Sequence, residues 1–199
     1  MKRILIAAGL SGMLVPALAS AELDYNAFNF GFVTKTDSTS SNSVTSSFTE
    51  YNLGISKSIR KNIYLDAYYE TGTPPWTQAN MGKHVHSISF GPGFHTPLKE
   101  NIDIVAAGHI VQGSDKIPGS IASAHGYDIG AGLRAQFPYD FEGSVLAVHE
   151  SYSSDTLSNR DTYVNAQFGF GFTPDIQMYG SIDLLRTYRT INFGLRVFY

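Results

Sequence analysis

The sequence predicts an all-β fold, an antiparallel up-and-down β-barrel that crosses a membrane. Apolar and polar residues alternate along ten segments, each close to the ~9–11 residues that a tilted transmembrane strand requires. The connections between these segments alternate between short and long, as a meander with unequal ends demands. Beyond the N-terminal segment no stretch is apolar for long enough to span a membrane as a helix, and the chain is rich in Phe, Tyr and Gly.

The first 21 residues form a separate unit. Lys2 and Arg3 precede an apolar run from Ile4 to Ala19, and Ala19-Ser20-Ala21 is a small-x-small cleavage site. Gly9, Gly12 and Pro16 interrupt the run, which is too short for an anchor, so it reads as a removable signal peptide. Removing 21 of 199 residues leaves 178 for one domain, residues 22–199, and losing Lys2 and Arg3 takes the formal charge from -3 to -5. That balance offers no basic surface for nucleic acid. The absence of cysteine excludes disulfides and thiolate metal sites.

The ten predicted strands are residues 23–33, 47–58, 63–72, 84–96, 102–112, 125–136, 141–152, 162–173, 176–185 and 190–199. Eight strands is the alternative, with 176–185 the weakest segment. Short turns lie at 59–62, 97–101, 138–140 and 174–175, and longer polar loops at 34–46, 73–83, 113–124 and 153–161. A chain entering from the periplasm has its short turns there and its long loops outside, except for a short last loop near Arg186 to Arg189.

Alternation is clearest at the C-terminus, where Ile191, Phe193, Leu195, Val197 and Tyr199 share one face and Thr190, Asn192, Gly194 and Arg196 the other. Segments 162–173 and 125–136 repeat the pattern. Phe94, Phe137, Phe141, Phe172 and Tyr199 collect near the short-turn end, as an aromatic girdle at the headgroup level would. A half-buried soluble sheet also has period two, so a soluble barrel or sandwich is the competing architecture.

With its leader, its ten alternating segments and the terminal pattern Phe193-x-Leu195-x-Val197-x-Tyr199, the chain resembles the small outer-membrane β-barrel proteins of Gram-negative bacteria, OmpA- and OmpX-like in the broad sense. The resemblance implies residence in the outer membrane after export through the periplasm. It also implies that these last residues are the signal read by the outer-membrane assembly machinery, with Tyr199 where Phe is usual. Barrels of this kind include lipid A-modifying enzymes and a ten-stranded protease, but no counterpart of their catalytic motifs is found here.

Applying the same parity to each segment turns Glu50, Asp66, Glu70, His109, Asp128, Arg134, Glu142, Glu150, Asp183 and Arg196 inward. Charges in a narrow interior must be paired or hydrated. They form either a satisfied polar plug centred on Arg134 and Arg196 or the lining of a thin, weakly cation-preferring pore, with inward glycines such as Gly54, Gly93, Gly169 and Gly194 leaving room for water. Hydrolysis would need a histidine beside a carboxylate near the outer rim. His84 and His86, or His125 and Asp128 with His149 and Glu150, meet that only loosely, because His84, His86 and His149 have the outward parity. His84-x-His86 lacks a third metal ligand, and no catalytic residue, metal or cofactor is assigned.

The expected role is therefore structural, or interaction at the surface with an extracellular ligand through the loops. A narrow pore is the alternative, and a lipid A hydrolase a distant third. Among the loops, residues 37–47 are Ser- and Thr-rich and flexible by composition. The second loop carries Pro74-Pro75-Trp76, whose single Trp suits the lipid interface.

Overall fold

The computed structural model describes residues 25–37, 47–72, 84–117, 120–154, 158–184 and 188–199. The leader, Trp76 and its loop, and the centre of the first loop lie outside the described residues. Ten strands make up the fold: β1 (Ala27–Asp37), β2 (Ser47–Arg60), β3 (Ile63–Gly72), β4 (His84–Lys99), β5 (Ile102–Ile117), β6 (Ser120–Phe137), β7 (Phe141–Ser154), β8 (Ser158–Thr173), β9 (Ile176–Leu184) and β10 (Tyr188–Phe198). Each pairs antiparallel with its sequence neighbours, and β1 pairs with β10 from Ala27↔Phe198 to Asp37↔Tyr188, which closes the barrel. The ten-strand reading is the one that folds.

The largest shifts from the predicted boundaries are in the first strand and in two of the long loops. The first strand runs from 27 to 37, four residues later than predicted, with Tyr25 and Asn26 just ahead of it. The predicted loop at 113–124 is mostly ladder, since β5 continues to Ile117 and β6 starts at Ser120; β7 and β8 likewise extend into 153–161. These extensions are mostly small or polar, with no sustained apolar alternation, so period two gives no signal there, yet the hairpins keep pairing.

The short-turn end is tightly made. A β-bulge lies just before three of its turns, between Ser58 and Arg60, Pro97 and Lys99, and Gly171 and Thr173. The fourth turn, after Pro138, carries Tyr139 and Asp140 at φ of 66° and 55°. Both lie in the left-handed region that two-residue hairpin turns require and that Asn-Gly usually fills. The Asp140 carbonyl takes the Gly171 N–H at 2.9 Å, tying this turn to β8.

Outside, the wall is apolar in a continuous band that includes Phe28, Phe30 and Phe32 on β1, Leu53 on β2, Phe90 on β4, Ile129 on β6, Val145 on β7, Phe168 on β8 and Phe193 on β10, each between 44% and 56% exposed. A belt of that composition around a closed sheet needs hydrocarbon for solvent. The inward residues, by contrast, are mainly polar.

Two of the inward glycines are covered by tyrosine rings. A Cβ on Gly93 would come within 2.0 Å of Tyr64 Cζ, and one on Gly54 within 2.6 Å of Tyr68 Cδ1. Each tyrosine ring lies across a bare glycine on the next strand, filling the space that sequence reading assigned to water. Gly93→Ala is expected to lower stability by ~1–3 kcal/mol through overpacking, measured as a lower urea midpoint for loss of the fast-migrating folded form in unboiled gels.

Candidate functional site

Of the residues with inward parity, Glu50, Asp66, Glu142, Glu150 and Asp183 are buried and Glu70, His109, Asp128, Arg134 and Arg196 half-buried. Near the short-turn end Glu142 is the centre. Arg134 donates to it in a fork, Nε to Oε1 at 2.9 Å and Nη2 to Oε2 at 2.8 Å, and Arg196 Nη1 reaches Oε1 at 3.3 Å. Arg196 also donates to Gln177 Oε1 at 3.1 Å and to Asn29 Oδ1 at 2.8 Å. Such bidentate, charge-assisted bonds are the strong kind, and both side chains of the fork are largely buried.

The fork and the bonds of Arg196 to Gln177 and Asn29 join neighbouring strands, whereas Arg196 to Glu142 reaches from β10 to β7 and the contacts of Tyr25 cross the barrel. In strand order β6 lies five places from β1 in either direction, yet the Arg134 guanidinium sits 4.5 Å from the ring centre of Tyr25, just ahead of β1. Tyr25 stacks on Tyr64 and His95 with centroids 4.7 and 3.9 Å away. Its hydroxyl donates to Asp103 Oδ2 at 3.0 Å, which His95 Nδ1 also approaches at 3.1 Å. The Ser56 hydroxyl donates to the Tyr25 carbonyl at 2.7 Å. A plate of rings, guanidiniums and carboxylates thus spans the lumen, with a cavity of about 200 Å³ between it and Asp66, Tyr68 and His109.

Midway along the strands His109 lies between Asp128, 2.7 Å from Nδ1, and Asp66, 3.7 Å from Nε2. Asn165 donates to Asp183 at 2.8 Å, and Asn52 links Asn192 and Tyr179 at 3.2 and 3.3 Å. Nearer the long-loop end Lys35 Nζ lies 2.5 Å from Glu50 and 3.2 Å from Glu70, tying β1, β2 and β3 together. Glu150 is buried on β7.

Sequence reasoning missed Tyr25, Asn29, Lys35, His95, Asp103 and Gln177 as members of the network. Asp103 has the parity of His109 and Asn29 that of the inward face of β1, so that signal was available. Lys35 lay beyond the predicted end of the first strand.

The described rim histidines His86, His125 and His149 face outward. His86 Nδ1 lies 2.8 Å from Thr71 Oγ1 and 3.0 Å from the Tyr69 hydroxyl, and His149 Nδ1 lies 2.8 Å from Thr162 Oγ1. Asp128 and Glu150 point inward from the same strands, so the wall separates them from His149. Among the described residues no three His, Asp or Glu side chains are arranged to hold a metal ion. On β10, Phe193, Leu195, Val197 and, just beyond it, Tyr199 face outward, each about half exposed.

Replacing Glu142 by Ala leaves two buried guanidiniums without their shared carboxylate. It is expected to destabilise the barrel by ~3–5 kcal/mol, whereas Glu142→Gln, which keeps an acceptor, costs less; urea titration of the folded form in vesicles measures both.

No protein-family model matches the chain, and no curated protein matches it significantly. Among solved structures it is similar to Neisserial surface protein A at 11% identity, covering 88% of this chain and 98% of that one with a TM-score of 0.41. It is similar to the KdgM porin at 9% identity, covering 86% and 99% with a TM-score of 0.45. A loop-deletion mutant of OmpT, an outer membrane protein of Vibrio cholerae, aligns at 9% identity over 90% of this chain and 61% of that one, TM-score 0.39. At these identities and scores the similarity assigns neither ligand nor role; what the chain itself presents is a closed ten-stranded antiparallel barrel with a lipid-facing belt.

Proposed function

We propose that this chain is an integral outer-membrane barrel with a sealed lumen, a structural protein that presents its long-loop end to partners at the cell surface. A closed β-barrel with an apolar outer band and a polar interior is the β solution to spanning a membrane, and in bacteria such barrels belong to the outer membrane. The leader read at residues 1–21 supplies an export route. The outward face of Phe193, Leu195, Val197 and Tyr199 on the closing strand suits recognition by the assembly machinery before that strand finds its partner.

The single observation carrying the sealed-lumen reading is the plate formed by Arg134, Glu142, Arg196 and Tyr25. Arg196 reaches across two intervening strands' width from β10 to Glu142 on β7, Arg134 on β6 lies against Tyr25 from the far wall, and each charge among them has a partner of opposite sign. An ion passing through would have to part Arg196 from Glu142 or Arg134 from Tyr25.

Refolded wild-type barrel in planar bilayers is expected to give no discrete conductance steps, and the triple variant R134S/E142S/R196S, which empties the plate without leaving a lone charge, is expected to give them. Wild-type conductance that falls when Asp66 or Asp183 is neutralised would replace this reading with a narrow cation-preferring pore.

A further inference from the structure

On every strand except β9 the outward face turns from apolar to polar towards the long-loop end. The change falls at Thr34 on β1, Thr49 on β2, Thr71 on β3, His86 on β4, Gln112 on β5, His125 on β6, His149 on β7, Thr162 on β8 and Arg189 on β10. This marks where hydrocarbon gives way to headgroups on that side. The polar residues above the line are not a uniform mixture. On β6, β7 and β8 the register builds a grid in which His149 lies between Ile129 and Thr162, Ser151 between Tyr127 and Arg160, and His125 beside Ser153. Neighbouring strands are ~4.8 Å apart and successive outward residues ~7 Å apart, so the patch measures ~10 by ~14 Å. One headgroup would cover it.

Charge is sorted across this part of the wall. Asp128, Glu150 and Asp161 alternate with the outward residues of the grid and face the lumen, while Arg160 and the two histidines face out. Among the described residues no carboxylate pairs with Arg160. His149 is fixed by its bond to Thr162, and Tyr127 lies 6.3 Å from its ring. Directly below are Ile129, Leu133, Ala147, Val145 and Val164, an apolar surface for acyl chains. The combination is amphiphilic in the membrane's own direction, with phosphate-type donors above and hydrocarbon contacts beneath.

We propose that this face, formed by His125, His149, Ser151, Arg160 and Thr162, binds the phosphate-bearing headgroup of an outer-leaflet glycolipid. The proposal rests on the outer-membrane reading above. The grid of two histidines and an arginine is found on β6–β8: elsewhere at this level Arg189 on β10 and His86 on β4 stand on separate strands, and on the opposite wall Thr34 and Thr49 of β1 and β2 face each other at 3.5 Å and bring no positive charge.

The test uses mature barrel refolded into phosphatidylcholine vesicles, alone, with diphosphoryl lipid A, or with the same glycolipid stripped of its phosphates. The temperature at which the fast-migrating folded form disappears is read in each. The phosphorylated glycolipid is expected to raise it by several degrees in the wild type, because a ligand that binds only the folded state stabilises it. Arg160→Ser with His125→Gln should lose more than half of that rise, and Thr34→Ala with Thr49→Ala should keep it all. Arg160→Ser alone removes one exposed side chain and should give a partial loss, so the test stands if the double variant folds poorly. An equal rise with the phosphate-free glycolipid, or an undiminished rise in the Arg160 variants, overturns the site. Cell fractionation separates the two readings: a barrel found in the outer membrane without phosphate dependence overturns the site alone, and one found in another membrane overturns the reading beneath it.

Discussion

A peptide group left unpaired in hydrocarbon costs several kcal/mol, and the pairing of β1 with β10 removes the last sheet edge at which that cost would arise. Closure then governs everything within. Once ten strands share one continuous ladder the lumen's width is set, and the inward side chains must fill it, pair within it or hold water. Tyr64 over Gly93 and Tyr68 over Gly54 are local answers, a ring on one strand fitted to a missing side chain on the next. The plate around Glu142 is the larger answer, since it joins walls that the ladder alone keeps apart.

The interior is electrically uneven. At the short-turn end two guanidiniums face Glu142, and Asp103 lies between Tyr25 and His95, so opposite charges are close to balance. Towards the long loops Glu50, Glu70, Asp66, Asp128, Glu150 and Asp183 outnumber Lys35 and His109. The outer wall on that side has the opposite bias, with Arg160 and Arg189 facing out. Period-two geometry makes the separation possible, because neighbouring residues on a strand are placed on opposite sides of a sheet one residue thick. Inside and outside can therefore be tuned independently.

How far the structure was legible follows from what period two can carry. It assigns Glu50, Asp66, Glu70, His109, Asp128, Arg134, Glu142, Asp183 and Arg196 to one face of their strands, because parity is a property of the backbone, insensitive to what lies across the lumen. It did not mark the ends of β5 and β6, where the residues show no sustained apolar alternation although the ladder continues from Gly113↔Ala124 to Ile117↔Ser120. Nor did it reveal the partners. Arg134 and Tyr25 are more than a hundred residues apart, and only closure brings them together. Inward glycine was read as space for the same reason, since the ring that fills it belongs to another strand.

The seam between β1 and β10 is a ladder like the other nine, and at the rim the Asn26 carbonyl accepts the Tyr199 N–H at 3.2 Å. The two ends of the described chain thus lie beside each other, and the finished wall retains no trace of the order in which its strands were made. Topologically it is a ring with one cut. Joining Asn26 to Tyr199 and cutting elsewhere would preserve every cross-strand neighbour, yet it would move the Phe193 to Tyr199 segment from the end of the chain into its interior. The fold is indifferent to the position of the cut; the terminal role proposed for Phe193 to Tyr199 is not.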